Sequence, residues 1–220
     1  NIMVSFCAGD SYEFLGGSVN LNKLISFKSS SDDFKFNYGV FCNIENSLSI
    51  RASYLTNSSG SKCMNILSYN KKEEVDFNKR HTVINAKNIT LVNNSENVKN
   101  DIDTGLIKEA VYIGENSTIT FKKSVISGFN PAIIIDKNTV INDENLKKIK
   151  LEQMYFNLCN GNIFVEDNSN NQDLENWYGN AAFANVYSKA ENNITFIDFM
   201  NEKRPDFRLR IGGITASNDD

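Results

Sequence analysis

The sequence has little of what the common catalytic and metal-binding motifs require. Its 220 residues include 2 prolines, 1 tryptophan and 1 histidine, and four cysteines that form no Cys-x-x-Cys pair. The lone His81 has no neighbouring ligand pattern, so the usual zinc motifs are excluded. The glycine-rich phosphate loops and the Gly-x-Ser-x-Gly and His-Glu-x-x-His motifs are also missing. Nucleotide-dependent, serine-hydrolase and zinc-protease functions therefore have no support.

The charge and the apolar residues are spread evenly along the chain. The net charge is −4 with both signs mixed, so no basic field exists to attract nucleic acid, and nucleic acid is excluded as a partner. No run of about 18 apolar residues is present, and we expect no transmembrane segment. A hydrophobic content of 40% with so little proline excludes a disordered tail and predicts a buried core in one extended domain or at most two.

The amino-terminal end has neither a basic region nor a signal-cleavage motif. Residues 1–6 (Asn-Ile-Met-Val-Ser-Phe) instead have the pattern of a strand interior. We therefore expect the carboxy-terminal part of a longer precursor, whose missing amino-terminal region carries any export signal or lipid anchor.

The most informative pattern is an internal repeat. Asp10-Ser-Tyr-Glu-Phe14 and Asp32-Asp-Phe-Lys-Phe36 share one pattern at an offset of 22 residues, and Gly17 and Gly39 follow at matching places. In both copies aromatic residues alternate with polar ones, as a strand with one buried face requires. A strand-bearing unit that repeats at this spacing is typical of one coil of a β-solenoid.

The same spacing recurs later in the chain. Val111-Tyr-Ile113 stands 22 residues before Ile133-Ile-Ile135, and Ile89-Thr-Leu-Val92 lies about one period before Val111. The intervening sequence divides into strands of three to five residues separated by polar turns, which gives about three strands per unit. Such a unit favours a parallel β-helix over a sandwich, whose hairpins need two-residue turns containing glycine.

The chain is rich in asparagine, which tolerates the left-handed backbone of tight turns and can form hydrogen bonds from coil to coil. The predicted fold is therefore all-β: a right-handed parallel β-helix with about 22 residues per coil over residues 1–142.

Residues 143–220 are predicted to form the last coil or coils and an irregular cap of the same domain. Residues 145–151 fit either a short helix or an irregular coil. A solenoid leaves unpaired strand edges at its ends, and these aggregate unless they are covered. We expect aromatic side chains to form this cap: Tyr155, Phe156, Trp177, Tyr178, Phe183, Tyr187, Phe196 and Phe199.

Several segments resemble secreted right-handed β-helix surface proteins of Bacteroidetes, which have a pectate-lyase-like fold. Asp10-Ser-Tyr-Glu-Phe-Leu-Gly-Gly-Ser-Val-Asn20 is similar to the Asp-Gly-Ile-Glu-Phe-Phe-Gly-Gly-Thr-Val-Asn coil of that family, and Arg204-Pro-Asp-Phe-Arg208 resembles its closing segment. Ser11 stands where the family has glycine, and the loop that follows the second aspartate motif is short. The resemblance implies an exported β-helix on the extracellular side of the outer membrane. It assigns no catalytic residue.

Four carboxylates are predicted to share one edge of neighbouring coils: Asp10, Glu13, Asp32 and Asp33. Carboxylates stacked at strand spacing repel each other unless a cation lies between them, so a Ca²⁺ site is one interpretation. Acid/base chemistry on a polysaccharide is a second, and turn capping is the third. Lys35 and Arg51 are the nearby candidates for a catalytic base, or else solvated surface charges.

Aromatic and cysteine residues allow two interpretations each. Stacking on sugar rings is possible for Tyr12, Phe34, Tyr38, Tyr54 and Tyr69, whereas the alternation predicts that Tyr12, Phe14, Phe34 and Phe36 are core residues. Cys42 and Cys63 are either buried thiols, or they stack on neighbouring coils and form a disulfide.

The sequence favours a non-enzymatic, adhesin-like surface protein that binds a polysaccharide or another cell-surface partner, without indicating which residues bind carbohydrate. One alternative is a polysaccharide lyase or glycoside hydrolase, which requires a base facing the carboxylate edge. The other is a structural spacer of a surface assembly, which predicts smooth faces.

Overall fold

A computed structural model describes residues 1–52, 60–71, 80–104, 108–159, 164–166, 171–201 and 204–210. Within these residues most of the strands form three parallel sheets, and the last two strands form a separate antiparallel pair. The first sheet contains β1 (Ile2–Ser5), β4 (Leu24–Phe27), β7 (Leu48–Arg51), β10 (Thr90–Asn93), β13 (Val125–Ser127), β16 (Tyr155–Asn157) and β18 (Val186–Ser188). The second contains β2 (Tyr12–Leu15), β5 (Phe34–Asn37), β8 (Met64–Ile66), β11 (Val111–Ile113), β14 (Ile133–Ile135) and β17 (Phe164–Glu166). The third contains β3 (Ser18–Asn22), β6 (Phe41–Glu45), β9 (Val83–Lys87), β12 (Thr118–Lys122) and β15 (Ile149–Glu152).

Each coil visits the first, second and third sheet in turn, and each strand pairs with its counterparts in the neighbouring coils. The predicted all-β parallel β-helix is therefore confirmed. Alternate residues face inward and form one continuous apolar core. Tyr12 stacks on Phe34 and Phe14 on Phe36, with ring centroids 5.4 and 5.5 Å apart, which confirms these aromatics as core residues.

The 22-residue spacing holds only in some coils. Tyr12 pairs with Phe34 and Val111 with Ile133, as the repeat predicts. Phe34, however, pairs with Met64, and Met64 with Val111, because connections of different length separate these strands. The predicted stacking of residues 89–92 one period before Val111 is wrong, since Thr90 belongs to the first sheet and pairs with Val125.

The corner between the third and first sheets is tight and regular. In five successive coils a single residue with positive φ makes the turn: Lys23, Asn46, Asn88, Lys123 and Gln153. The amides of the first four donate to a carbonyl of the next coil, and the Gln153 amide donates to the Phe183 carbonyl of the cap. The prediction that asparagine makes such turns is confirmed for Asn46 and Asn88.

Asparagine side chains also join the coils on the outer face of the third sheet. Asn85 donates to Asn43 (2.9 Å) and Asn43 donates to Asn20 (2.6 Å). A second ladder beside it runs through residues 88, 46 and 22. The predicted hydrogen bonds from coil to coil are therefore present.

The longer connections lie at the two edges of the second sheet. Residues 52–63 and 94–110 link the first sheet to the second, and residues 67–82 and 136–148 link the second to the third. They contain α1 (Val98–Asp103) and α2 (Asp143–Leu146). Because the remaining corner is short, the longest connections are those that precede and follow strands of the second sheet along the chain.

Past residue 142 the chain adds the last strands and then α3 (Asn171–Tyr178), a 3₁₀ helix (Ala181–Phe183) and α4 (Asn192–Thr195). Tyr178 packs on Phe164 of the terminal strand of the second sheet, and its hydroxyl donates to the Ile149 carbonyl. Tyr187 stacks on Phe156. These aromatics cover the last coil.

Phe196 and Phe199 were also expected in the cap, but they lie elsewhere. The antiparallel pair β19 (Phe196–Asp198) and β20 (Asp206–Leu209) packs its phenylalanines on the outer face of the first sheet, in a cluster separate from the main core: Ile50, Val92, Val125, Phe196, Phe199 and Phe207. The first-sheet residues in this cluster, Ile50, Val92 and Val125, are apolar, so the carboxy-terminal segment covers an apolar part of the side of the solenoid. In the described part of the chain no helix is long and apolar enough to cross a membrane.

Candidate functional site

The outer face of the second sheet carries a row of side chains in register. Glu13 pairs with Lys35, Lys35 with Asn65, and Asn65 with Tyr112, so the four stand side by side across neighbouring coils. Strand neighbours lie about 4.8 Å apart. We call this row, with the side chains that contact it from the flanking connections, the second-sheet face.

At the amino-terminal end of this face Lys35 joins two predicted carboxylates. Its Nζ lies 3.1 Å from Asp10 Oδ2 and 2.8 Å from Glu13 Oε1. Hydrogen bonding to Glu13, with the two negative charges, raises the pKa of Lys35 to about 12. Burial alone would raise the pKa of Asp10, but hydrogen bonds from Ser31 and Lys35 hold it below its ordinary value. At neutral pH this end is therefore a fixed set of charges.

Asp32 joins the connection before β8 to the sheet through hydrogen bonds. Its Oδ1 accepts from the Lys62 backbone amide (2.8 Å) and its Oδ2 from Asn65 Nδ2 (2.6 Å). Its own amide donates to Asp10 Oδ1 (3.0 Å), which places residue 10 beside residue 32 as the repeat predicts. The geometry of Asp10 and Asp32 is that of side chains that satisfy turn amides.

Tyr112 occupies the middle of the face, between the connections of its two sides. Lys62 Nζ lies 5.5 Å from the centroid of the Tyr112 ring and 3.3 Å from Glu109 Oε1. The Tyr112 hydroxyl donates to Asp136 Oδ2 (2.5 Å). A half-buried aromatic ring is thus held between a cation and a carboxylate that come from opposite edges of the sheet.

Two further tyrosines lie at the edge toward the third sheet. The Tyr69 hydroxyl donates to Glu115 Oε2 (2.5 Å), and burial together with this carboxylate raises the pKa of Tyr69. Tyr38 is 47% exposed, and its hydroxyl accepts from Asn70 Nδ2 (2.5 Å). Of the aromatics predicted to contact sugar, these two lie at the surface, whereas Tyr54 lies outside the described residues.

Asp33 does not share the edge with the other three carboxylates. It is fully buried, with Oδ2 3.0 Å from Arg51 Nη1, and it accepts hydrogen bonds from Ser26 and Ser49. Arg51 also donates to Ser61 and is 2% exposed, so its interpretation as a solvated surface charge is wrong. Burial raises the pKa of Asp33, and the Arg51 charge opposes that shift. Phe34, the first residue of β5, also faces the core, so two consecutive residues point inward and Asp33 departs from strand alternation.

Three of the four predicted carboxylates, Asp10, Glu13 and Asp32, lie on this edge, and the Lys35 ammonium is the cation between Asp10 and Glu13. Oxygens of Asp10, Asp32 and Asp33 accept hydrogen bonds from N–H and O–H groups. Over the part of the chain that the structure describes, no group of three or more histidine, cysteine or acidic side chains is placed to hold a metal.

A model of the pectate-lyase-like β-helix domain family matches residues 1–204. The chain belongs to this family. No curated protein and no solved structure was found to match it. The membership agrees with the three parallel sheets, and the family's description concerns the fold rather than a reaction.

The cysteines of this pectate-lyase-like domain form no pair. Cys42 lies on β6 of the third sheet and Cys63 directly before β8 of the second, so they do not stack and the disulfide alternative is wrong. Burial raises the pKa of Cys42 to about 12, which makes it a core thiol without nucleophilic character at neutral pH.

Several residues of this face were not predicted from the sequence: Lys62, Asn65, Glu109, Tyr112 and Asp136. Lys62 and Asn65 belong to a coil longer than 22 residues, so the repeat gave no register for them. The outward position of Tyr112 could have been predicted, since Tyr112 is the middle residue of the Val111–Ile113 strand that the repeat identified. Its partner Asp136 becomes apparent only when the strand ends are known.

Proposed function

We propose that this β-helix domain is a non-enzymatic carbohydrate-binding protein of the cell surface, which holds a polysaccharide along the second-sheet face. The observation that carries the proposal is the row in register from Glu13 to Tyr112. A polysaccharide is a linear array of hydroxyl groups and ring faces. A row that repeats at strand spacing presents donors, acceptors and a ring along one line.

The side chains on the face have the chemistry that sugars need. Lys35, Lys62 and Asn65 supply donors, whereas Glu13 and Asp136 supply acceptors for hydroxyl groups. Tyr112 and the exposed Tyr38 offer flat surfaces against which the apolar face of a pyranose can pack, with hydroxyl groups at the ring edge. The existing ion pairs and hydrogen bonds hold most of these groups in place, which lowers the entropic cost of binding.

The charge states support binding rather than catalysis. A general acid or base works best when its pKa lies near the working pH. Lys35 is the basic residue that faces the carboxylates, and with a pKa raised to about 12 it stays protonated and is a poor base for a lyase. Asp10, with its pKa lowered, stays ionised and is a poor general acid for a hydrolase.

The experiment is thermal unfolding of the full chain against a panel of neutral and acidic polysaccharides, with and without Ca²⁺, combined with assays for released products. We expect one class of polysaccharide to raise the melting temperature by roughly 5–10 °C at about 100-fold excess over Kd, without products and without dependence on Ca²⁺. Unsaturated or reducing chain ends released in parallel would overturn the non-enzymatic proposal in favour of a lyase or hydrolase. No response to any polysaccharide would favour the structural spacer.

The cell-surface location rests on the resemblance to exported β-helix proteins. Protease treatment of intact source cells tests it. We expect loss of the protein from intact cells, whereas full protection would contradict the proposed location.

A further inference from the structure

A separate pocket of about 320 Å³ lies on the carboxy-terminal cap, and the second-sheet face does not include it. Five residues line the pocket: Asp173, Asn176, Trp177, Asn180 and Phe183. Its volume is at the lower end of the range of small-molecule sites, about 300–1,000 Å³.

The pocket is built from one face of α3 and the turn that follows it. Residues 173, 176 and 177 have the spacing that brings side chains together on one side of a helix, and Asn180 follows in the turn as the N-cap of the 3₁₀ helix. The chain then turns through the 3₁₀ helix, which returns Phe183 to the same side. The Phe183 carbonyl accepts from the Gln153 amide (2.7 Å), so this turn is fastened to the corner of the last coil.

Two aromatic rings form the apolar part of the pocket. The centroids of Trp177 and Phe183 are 6.1 Å apart with their planes tilted by 39°. Behind them Leu174 and Tyr178 are fully buried, and Tyr178 packs against Phe183 with centroids 6.3 Å apart. Because the helix is fixed to the core in this way, the rings are held in position before any ligand arrives.

The polar groups are two carboxamides and one carboxylate. Asn176 Oδ1 accepts from Gln172 Nε2 (3.0 Å), and Asn180 Oδ1 accepts from the Ala182 amide (2.9 Å). Both contacts use the amide oxygen and orient the side chain, so the NH₂ groups remain to donate to a ligand. Asp173 supplies an acceptor and a negative charge, and none of the lining residues that the structure describes is a lysine or arginine.

We infer that this pocket binds a single neutral pyranose, as a second sugar site distinct from the second-sheet face. A pyranose has an apolar face for Trp177 and Phe183, and hydroxyl groups that both donate and accept for the carboxamides and Asp173. The negative charge without a cation disfavours uronic acids and other anionic sugars. The inference rests on the proposed function only in taking carbohydrate as the ligand class.

Trp177 provides a direct readout because it is the only tryptophan in the sequence. The full chain is titrated with the methyl glycosides of glucose, galactose, mannose and N-acetylglucosamine, and with methyl glucuronide as the anionic comparison. We expect a saturable change in tryptophan emission for at least one neutral glycoside, with Kd on the order of 1 mM. The glucuronide is expected to bind at least tenfold more weakly.

Variants assign the signal to the pocket. Asn176→Ala is expected to weaken binding about tenfold, and Asp173→Asn to reduce the preference against the glucuronide. Asp173→Asn keeps the inference testable if Asn176→Ala fails to fold. Tyr112→Ala, on the other sugar face, is expected to leave the emission change unaltered.

The outcomes separate this inference from the proposed function. The absence of a saturable change up to about 50 mM of every neutral glycoside would overturn the inference. Full retention of the change in folded Asn176→Ala, or an unaltered preference against the glucuronide in Asp173→Asn, would overturn it as well. In either case polysaccharide binding that is sensitive to Tyr112→Ala would still support the second-sheet face. Glycoside binding at Trp177 without polysaccharide binding would leave the inference standing and overturn the proposed function.

Discussion

At the scale of single residues, the two charges buried in the core, Asp33 and Arg51, are expected to affect stability most. Asp33 and Arg51 form an ion pair whose remaining hydrogen-bonding capacity is satisfied by serine hydroxyls and backbone carbonyls. A buried pair of this kind adds little net stability compared with an apolar replacement, but breaking it leaves an uncompensated charge. Its effect is therefore seen when one partner is removed.

We predict that Arg51→Met lowers the free energy of unfolding by about 3–5 kcal/mol, since it leaves the Asp33 carboxylate buried without its cation. Asp33→Asn is expected to destabilise in a similar way, and the double variant by clearly less than the sum of the two. Urea unfolding of the four proteins measures this coupling. Additive effects would show that the pair does not act as a unit.

Asp10 is predicted to make part of the stability depend on pH. Its pKa in the folded protein is lowered below the ordinary 3.8, so the stabilisation is present above about pH 4 and is lost as the pH falls through the lowered value. Asp10→Asn should flatten the acid limb of a plot of melting temperature against pH, whereas Asp103→Asn, at the exposed end of α1, should not. Identical acid limbs for wild type and Asp10→Asn would contradict this account.

Among the elements, the corners between the third and first sheets determine how the coils stack. Each uses one residue in the left-handed region, where a side chain other than glycine costs about 1–2 kcal/mol. Lys123 has a φ of 49°, and its amide donates to the Glu152 carbonyl. The hydrogen bonds between the coils must therefore hold these turns in place.

Substitution at Lys123 tests the corner directly. Lys123→Gly is expected to be more stable than Lys123→Val by at least about 1–2 kcal/mol, because glycine adopts positive φ without strain and a β-branched side chain does not. At Thr120, within β12, the order should reverse, since valine suits a strand and glycine weakens it. Chemical unfolding of the four variants measures both differences. Equal stability of the two Lys123 variants would contradict the argument.

The sequence repeat predicts some strands of the solenoid and not others. The 22-residue repeat locates β2 and β5, and β11 and β14, because no insertion intervenes between their members. It fails across residues 52–63 and 67–82, where the connection length is free to vary while the strands keep their register. The predicted carboxylate edge was correct for Asp10, Glu13 and Asp32 and wrong for Asp33. Asp33 lies next to the inward Phe34 and departs from strand alternation, so its buried position becomes apparent only with Arg51, which pairs with it in the core.

Across the whole molecule, the three outer faces of the solenoid carry different kinds of side chain. The carboxy-terminal segment covers an apolar part of the outer face of the first sheet, and asparagine ladders join the coils on the third. The second-sheet face lies between the long connections and carries charges and tyrosines. This difference is why ligand binding is proposed there.

The covering segment is predicted to be part of the stable fold. Phe196 is 0% exposed, and Phe196→Ala should lower the free energy of unfolding by about 3–5 kcal/mol through lost contacts and a cavity. Phe6 is 65% exposed, and Phe6→Ala is expected to change the stability by less than about 1 kcal/mol. Equal effects of the two would mean that the segment does not pack on the first sheet.

The central claim is that a polysaccharide binds along the second-sheet face. The most direct measurement is affinity gel electrophoresis of wild type, Tyr112→Ala and Asn85→Ala in gels that contain the polysaccharide identified by the melting shift. Asn85 lies on the outer face of the third sheet and serves as the control. The account predicts that Tyr112→Ala weakens retention about tenfold and that Asn85→Ala does not change it. Retention that survives Tyr112→Ala, or that is lost equally in Asn85→Ala, would contradict the account.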